Sequence, residues 1–204
     1  MFIYLNGQLI KKENAQISPF DHGFLYGIGL FETFRMYEGH PFLLDDHLER
    51  LNQGLAQLNI KHQFYREETN KILQDLLGIN QLTNAYIRLN ISAGMGEVGL
   101  QIEPYIAPTI IIFPKLLPPA GDLIEKKAVL LKLKRNTPEG VERLKSHHFM
   151  NNMLAKREIG SSLEIEGIFL TEDRFLAEGI VSNIFWKRGN TLYTPALRSG
   201  ILNG

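Results

Sequence analysis

Cysteine is absent from the 204 residues. That excludes a disulfide framework, a thiol nucleophile and a thiolate metal site. Charge of one sign is absent too: Lys plus Arg number 22 and Asp plus Glu number 22, so the formal net charge is zero. A protein that lives on nucleic-acid phosphates carries a basic excess, and here only local patches could serve that role. No apolar run approaches the roughly 18 residues of a membrane helix. The N-terminus, MFIYLNGQLI, has no basic region followed by a long apolar one, so no secretory leader is expected. No internal repeat and no low-complexity segment is visible. What is present is ordinary globular composition, 44% hydrophobic and 22% charged. The length suits one large domain or two small ones. The expectation is a soluble, cytoplasmic, globular protein.

Turn signals divide the chain. Asn6-Gly7 between FIYL and QLI reads as a two-residue hairpin, and Tyr37–His40 as a second hairpin. Leu44, Leu48, Leu51, Leu55 and Leu58 share one helical face, with Asp46 and Glu49 placed for a capping box. A second helix is expected over Glu67–Leu77, stopped by Gly78. Ala85–Ser92 and Pro108–Phe113 read as strands. The Pro-rich stretch Pro114–Asp122 predicts a linker, giving an N-terminal domain over 1–116 and a C-terminal domain over 117–204. Beyond it, Ala128–Arg135 predicts a strand. Ser146–Ile159 predicts a helix with a seam of Phe149, Met150, Met153 and Leu154, and an antiparallel meander follows. The fold class is therefore α+β twice, with antiparallel-rich sheets. The second domain has few helices to cover its sheet and reads as incomplete.

Several motifs carry little chemistry. Gly94–Gly99 matches G-x-G-x-x-G, but the following LQIEPYIAP has no helical period, so a flexible loop is expected rather than a dinucleotide site. His147 and His148 are adjacent and would diverge by about 100° on a helix. The other four histidines show no ligand spacing, so no metal site is expected. No G-x-S-x-G elbow appears.

Three side chains carry more. Lys145 precedes the expected helix start at Ser146, where the positive end of the dipole favours the neutral amine that forms imines. Its bland alternative is a solvated surface lysine. Glu178 ends a strand-like FLAEG before apolar VSNIFW, either a turn residue or the partner of a buried cation. Arg50 lies off the leucine seam, either in an i,i+4 pair with Asp46 or as a fork for phosphate. An amine, a carboxylate and a guanidinium together suit pyridoxal 5'-phosphate: imine, ring nitrogen and phosphate.

Four segments, Ser18–Arg35, His47–Leu51, Leu144–Gly160 and Ala177–Trp186, resemble in order and spacing the fold-type IV pyridoxal-phosphate enzymes. That family includes branched-chain and D-amino-acid aminotransferases and 4-amino-4-deoxychorismate lyases. The likeness is greatest to the bacillus-type lyases, through SPFDHGFLYGIG, KRNTPEG and KSHHFMNNMLAKREIG. The resemblance implies that Lys145 is the Schiff-base lysine, Glu178 the partner of the pyridine nitrogen and Arg50 the phosphate arginine. It places Ser182 and Asn183 beside the cofactor and Leu202 against its ring. It also implies a homodimer acting on a small molecule. The family continues past the final glycine with a phosphate-cradling I/V-T-R turn, and this chain stops at Gly204. The expectation is a shortened C-terminal, cofactor-binding domain.

Within the family, Asn90–Gln101 lacks the Arg and His that build the carboxylate trap of D-amino-acid aminotransferases, and Ser92-Ala93-Gly94 departs from the RGxG element of branched-chain enzymes. The implied activity is conversion of 4-amino-4-deoxychorismate to 4-aminobenzoate and pyruvate, in folate synthesis. The alternative is an aminotransferase of the same fold, and a cofactor-free scaffold is the reading from outside enzymology. Arg88 and Arg35 are candidates for the substrate carboxylate.

Overall fold

The computed structural model describes residues 1–119, 121 and 123–204. Two-residue turns build the first sheet. β1 (Phe2–Leu5) and β2 (Gln8–Lys11) join at Asn6-Gly7, with φ of 45° and 92°. Both angles are positive, as a turn matching the strand twist requires. β3 (Gly29–Tyr37) turns in the same way at Glu38-Gly39 into β4 (His40–Pro41). With β5 (Ala85–Ser92) and β6 (Thr109–Leu116) they make a six-stranded sheet in the order β2-β1-β6-β5-β3-β4, antiparallel at each pairing.

β6 runs through Pro114, inside the stretch expected to be a linker. Its pairing with β1 stops at Ile112, so the missing N–H of Pro114 falls where β1 no longer pairs. Ala120 and Asp122 of that stretch lie outside the described residues.

Alternation puts Ile87, Leu89 and Ile91 of β5 and Leu30, Phe34 and Met36 of β3 in the core. α2 (Leu44–Gln57) packs on β3 through Leu44, Leu48, Leu51 and Leu55, each essentially inaccessible. Each such side chain contributes about 1.5–3 kcal/mol of burial. The capping box does not form: the N-cap is Leu43, with no side-chain cap bond, and Asp45 and Asp46 both occupy the first turn. α3 (Arg66–Asn80) runs past Gly78 and ends at Gln81, which takes the left-handed conformation itself at φ 54°. Before β3, the short α1 (His22–Tyr26) is capped by the Asp21 side chain.

The rest of the chain forms β7 (Lys127–Leu130), α4 (Met150–Ile159), β8 (Ile165–Leu170) and β9 (Leu176–Gly179), with a separate hairpin of β10 (Trp186–Arg188) and β11 (Thr191–Tyr193). The sheet order β7-β8-β9 is mixed: β7 pairs parallel with β8, and β8 antiparallel with β9. The antiparallel pairing expected after α4 is found for β8 with β9 and for β10 with β11, but in two separate sheets rather than one meander; the parallel pair was not expected, because a hydrophobic run does not reveal that α4 is a crossover between two parallel strands. The strand expected over Ala128–Arg135 stops at Leu130. The expected seam of α4 is also corrected. Met150, Met153 and Leu154 are exposed, and Asn152 and Ala155 are the buried residues. The core beneath them is Leu131, Ala155, Phe169, Ala177, Ile180 and Ile201.

The chain divides into two compact units, Met1–Ala120 with Lys145–His147, and Gly121–Leu144 with His148–Gly204.

Candidate active site

The first unit gathers a charged cluster on the helix-facing side of its sheet. Glu32 lies on β3 at an inward position between Leu30 and Phe34 and is 1% exposed. His47 and Arg50 are three apart on α2 and so share a face. Arg50 Nε donates to Glu32 Oε1 at 2.6 Å and its Nη2 donates to Oε2 at 2.6 Å. His47 Nδ1 lies 2.8 Å from Oε2. The carboxylate that Arg50 forks is thus Glu32, reached across the core. Burial works to raise the Glu32 pKa, but hydrogen bonds from Arg50 and His47 and the charges of Arg50 and Lys145 outweigh it and hold the group below its ordinary value. A guanidinium carries five N–H donors, and Glu32 takes two. A phosphate would share Arg50 with Glu32, on a fork already oriented by it.

Lys145 is held by its backbone. Phe31 N–H donates to the Lys145 carbonyl at 2.9 Å, His147 N–H donates to the Gly29 carbonyl at 3.0 Å, and Leu30 bridges Ser146. These three residues therefore run antiparallel beside the start of β3. The lysine Nζ lies 5.0 Å from the centroid of the Phe31 ring. α4 begins only at Met150, so the helix-terminus argument for a neutral amine does not apply. Strand pairing, not a helix dipole, positions this lysine.

Arg88 of β5 reaches the same ring. Its guanidinium carbon sits 3.8 Å from the Phe31 centroid, and its Nε donates to Asn90 Oδ1 at 2.8 Å. Burial lowers its pKa, partly offset by Tyr86.

In the second unit, Glu178 on β9 is 5% exposed. Arg135 Nε donates to its Oε1 at 2.6 Å and the Leu202 N–H to its Oε2 at 2.9 Å. Arg143 Nε approaches Oε1 at 3.8 Å and donates to the Gly200 carbonyl at 2.6 Å. Burial and the neighbouring Arg135 push the Arg143 pKa down to about 10, with Glu178 and Glu139 partly compensating. Asn183 Nδ2 donates to the Leu202 carbonyl at 3.0 Å. Glu178, Asn183 and Leu202 thus form one network, and Leu202 enters it through its backbone. Ser182 stands apart from it, with its hydroxyl donating to Glu166 Oε1 at 3.3 Å.

Sequence reasoning passed over Glu32, His47, Arg135 and Arg143. A signal existed for Glu32, a charge at an inward register position of LFETF. For Arg135 and Arg143 nothing in the local pattern marks burial.

The Gly94–Gly99 segment is a loop, as its lack of helical period implies, but it is pinned rather than free. His22 is fully buried, with Nε2 at 2.8 Å from the Glu97 carbonyl and Nδ1 at 2.9 Å from Tyr105 Oη. Gly99 N–H donates to Tyr26 Oη at 2.7 Å.

Residues 29–204 match the family model for amino-transferase class IV. The chain is 52% identical over 204 residues to the aminodeoxychorismate lyase of Bacillus subtilis (strain 168), covering 99% of this chain and 70% of that protein. It is 27% identical over 208 residues to a D-alanine aminotransferase of Bacillus licheniformis, covering 100% of this chain and 71% of that protein. Among solved structures it resembles the branched-chain aminotransferase of Thermoproteus uzoniensis with norvaline, at a TM-score of 0.86 and 25% identity. That match covers 100% of this chain and 71% of the other.

Proposed function

The chain belongs to the class IV amino-transferase family, and from that premise we propose that it is a pyridoxal-phosphate-dependent lyase that converts 4-amino-4-deoxychorismate to 4-aminobenzoate and pyruvate. The observation that carries the substrate is the 52% identity to a lyase over 99% of the chain. The donor chemistry fits the cofactor: an amine fixed on a strand edge, a guanidinium fork oriented by Glu32, and a buried carboxylate held by two arginines and a backbone N–H.

When bound, the cofactor supplies an aldehyde that condenses with amines and a ring that draws electrons from the attached carbon. Everything else falls to the chain. Lys145 Nζ would hold the cofactor at its aldehyde, where a substrate amine would bind in turn. The lysine amine so released then takes the proton from the amine-bearing carbon. It, or a water that it positions, returns a proton as the enolpyruvyl group leaves as pyruvate. Glu178, hydrogen-bonded by Arg135 and the Leu202 N–H, would meet the ring nitrogen, and Arg50 would take the phosphate. Asn183 steadies the Leu202 backbone that in turn steadies Glu178.

We assign the work to folate synthesis in the cytoplasm, by a homodimer. Phe20, Phe24, Met95, Val98 and Leu100 are exposed on segments bonded to one another, an apolar surface that a second copy would cover. The test of function is chemical. Protein given 4-amino-4-deoxychorismate should release pyruvate and 4-aminobenzoate without consuming a 2-oxo acid. If transamination of D-alanine or leucine with 2-oxoglutarate dominates by roughly a hundredfold in kcat/KM, or about 2.7 kcal/mol, the aminotransferase reading replaces this one.

A further inference from the structure

The helix-facing side of the first sheet carries a concavity apart from the charged cluster. A cleft of about 100 Å³ opens where β1, β6 and the first turns of α3 meet. The register sets Tyr4 opposite Ile112, Ile112 opposite Leu89, and Leu89 opposite Glu32. Ile112 therefore stands two strand spacings from Glu32, about 10 Å, with the fully buried Leu89 between them. The inner lining is apolar: Ile72, Ile110 and Ile112. Tyr4, Tyr65 and Glu68 line it as well, the last two exposed to solvent.

The wall formed by residues 62–64 is fixed in advance. Asn52 Oδ1 accepts from the Phe64 N–H at 2.8 Å, and Asn52 Nδ2 donates to the Phe64 carbonyl at 2.9 Å. Just upstream, Ile60 bridges Tyr105, and the Lys61 N–H donates to the Tyr105 carbonyl at 2.8 Å. An irregular segment clamped at both ends loses little entropy when a ligand settles against it.

The chemistry of the cleft is one-sided. Among the described residues that line it, Glu68 carries the one charge. Arg66, in the same helical turn, is engaged by Asp45 at 2.5 Å. The positive end of α3 favours the Glu68 carboxylate where it stands, so an anionic ligand would meet a place already taken. His62 packs edge-on against Phe64, with ring centroids 4.5 Å apart. Burial holds the His62 pKa below its ordinary value against the opposing charge of Glu68, so at pH 7 the imidazole is neutral and offers a lone pair. A carboxylate, an acceptor nitrogen and tyrosine rings together suit a protonated amine. The isoleucines suit a short hydrocarbon body. An apolar cavity of about 150 Å³ holds a benzene-sized molecule, so this cleft has room for about five or six heavy atoms.

We propose that this cleft is a binding site for a small amphipathic amine, its ammonium held by Glu68 and His62 and its hydrocarbon laid against Ile72, Ile110 and Ile112. The site goes beyond the lyase reading and does not depend on it.

The probe is 3-methylbutylammonium, with 3-methylbutanol and 3-methylbutanoate as neutral and anionic matches of the same hydrocarbon. Each is titrated into nitrogen-15-labelled protein and followed by its amide resonances. Prior treatment with borohydride keeps the amine from condensing with any bound aldehyde. The amine should shift the Phe64, Thr69 and Ile112 amides with a Kd of about 1 mM or tighter, and leave Phe31 and Lys145 unmoved. The alcohol and the acid should bind at least about tenfold more weakly. Glu68→Gln should weaken the amine by roughly ten- to hundred-fold, the size of a lost charge-assisted hydrogen bond, and bring it to the level of the alcohol. Glu68→Asp keeps the charge on a shorter stem and should fall between. Thermal melts establish that both variants fold, as expected for an exposed helical position. Absence of shifts at the cleft with all three probes overturns the proposal, as do shifts confined to Phe31 and Lys145. Equal affinity for amine and alcohol, or a Glu68→Gln variant that binds the amine like wild type, overturns it too.

Discussion

At the scale of single residues, the buried acid Glu32 governs two cations. Glu32→Ala would strand Arg50 and His47 beside a vacated acceptor, and breaking such a pair costs about 3–5 kcal/mol. Glu32→Gln keeps an acceptor oxygen and should cost less. The pH dependence separates charge from packing. The folded-state pKa of Glu32 lies below its unfolded value. Its stabilisation is therefore complete above the ordinary carboxylate range and is lost as pH falls through the depressed folded value. Wild type should lose stability on acidification below about pH 4.5 more steeply than Glu32→Gln, read from denaturant midpoints across that range. Equal slopes would show that the cluster contributes no ionic term. Lys145→Ala should remove the borohydride-reducible link to the cofactor while leaving the protein folded, because main-chain hydrogen bonds hold the segment beside β3. Peptide mapping of the reduced protein checks this, and label on Lys156 would refute it.

At the scale of elements, the loop after β5 depends on one position. Gly94 has φ 81°, and a Cβ placed there would stand 2.0 Å from the Ala107 carbonyl oxygen. Gly94→Ala meets both backbone strain and a clash with main chain that cannot swing aside, so a loss of about 2 kcal/mol or more is expected in chemical denaturation. Gly99 has open space around it but a φ of 136°, a region nearly reserved for glycine, so Gly99→Ala meets backbone strain without a clash and should cost about 1–3 kcal/mol. The elements also show what the sequence makes legible. α2 was readable because Leu44, Leu48, Leu51 and Leu55 fall on one face and that face is its buried one. α4 was not, because it docks through Ala155 and through Asn152, whose amide donates to the Ile180 carbonyl. Hydrophobic periodicity does not register an interface built on a small residue and a hydrogen bond. The candidate site residues divide in the same way. Lys145, Glu178 and Arg50 stand out by type and by likeness to a family. Their supports, Glu32, Arg135 and Arg143, act through pairings between residues tens of positions apart, which no local pattern encodes.

For the molecule as a whole, zero formal charge at neutral pH and the apolar side chains of α1 and the Gly94–Gly99 loop point the same way. A chain without net charge has little self-repulsion to oppose association. The proposed homodimer should appear in light scattering near neutral pH, and Phe24→Asp with Val98→Asp should shift it to the monomer without unfolding it. A double variant that still scatters as a dimer would move the interface elsewhere.

The strand pairing that holds Lys145 has a kinetic consequence. Gly29–Phe31 and Lys145–His147 are more than a hundred positions apart, yet they bond edge to edge. The hairpins and α2 beside β3 close short loops, which form on microsecond timescales. The lysine's seat closes a far longer loop, whose entropy must be met before the contact gives anything back. During synthesis the first sheet can therefore assemble long before Lys145 exists, and β3 must wait with its Gly29–Phe31 edge uncovered. Under the imine role proposed for Lys145, cofactor linkage is then a late marker of maturation, arriving after most of the secondary structure. In refolding, cofactor linkage should lag the recovery of far-ultraviolet circular dichroism.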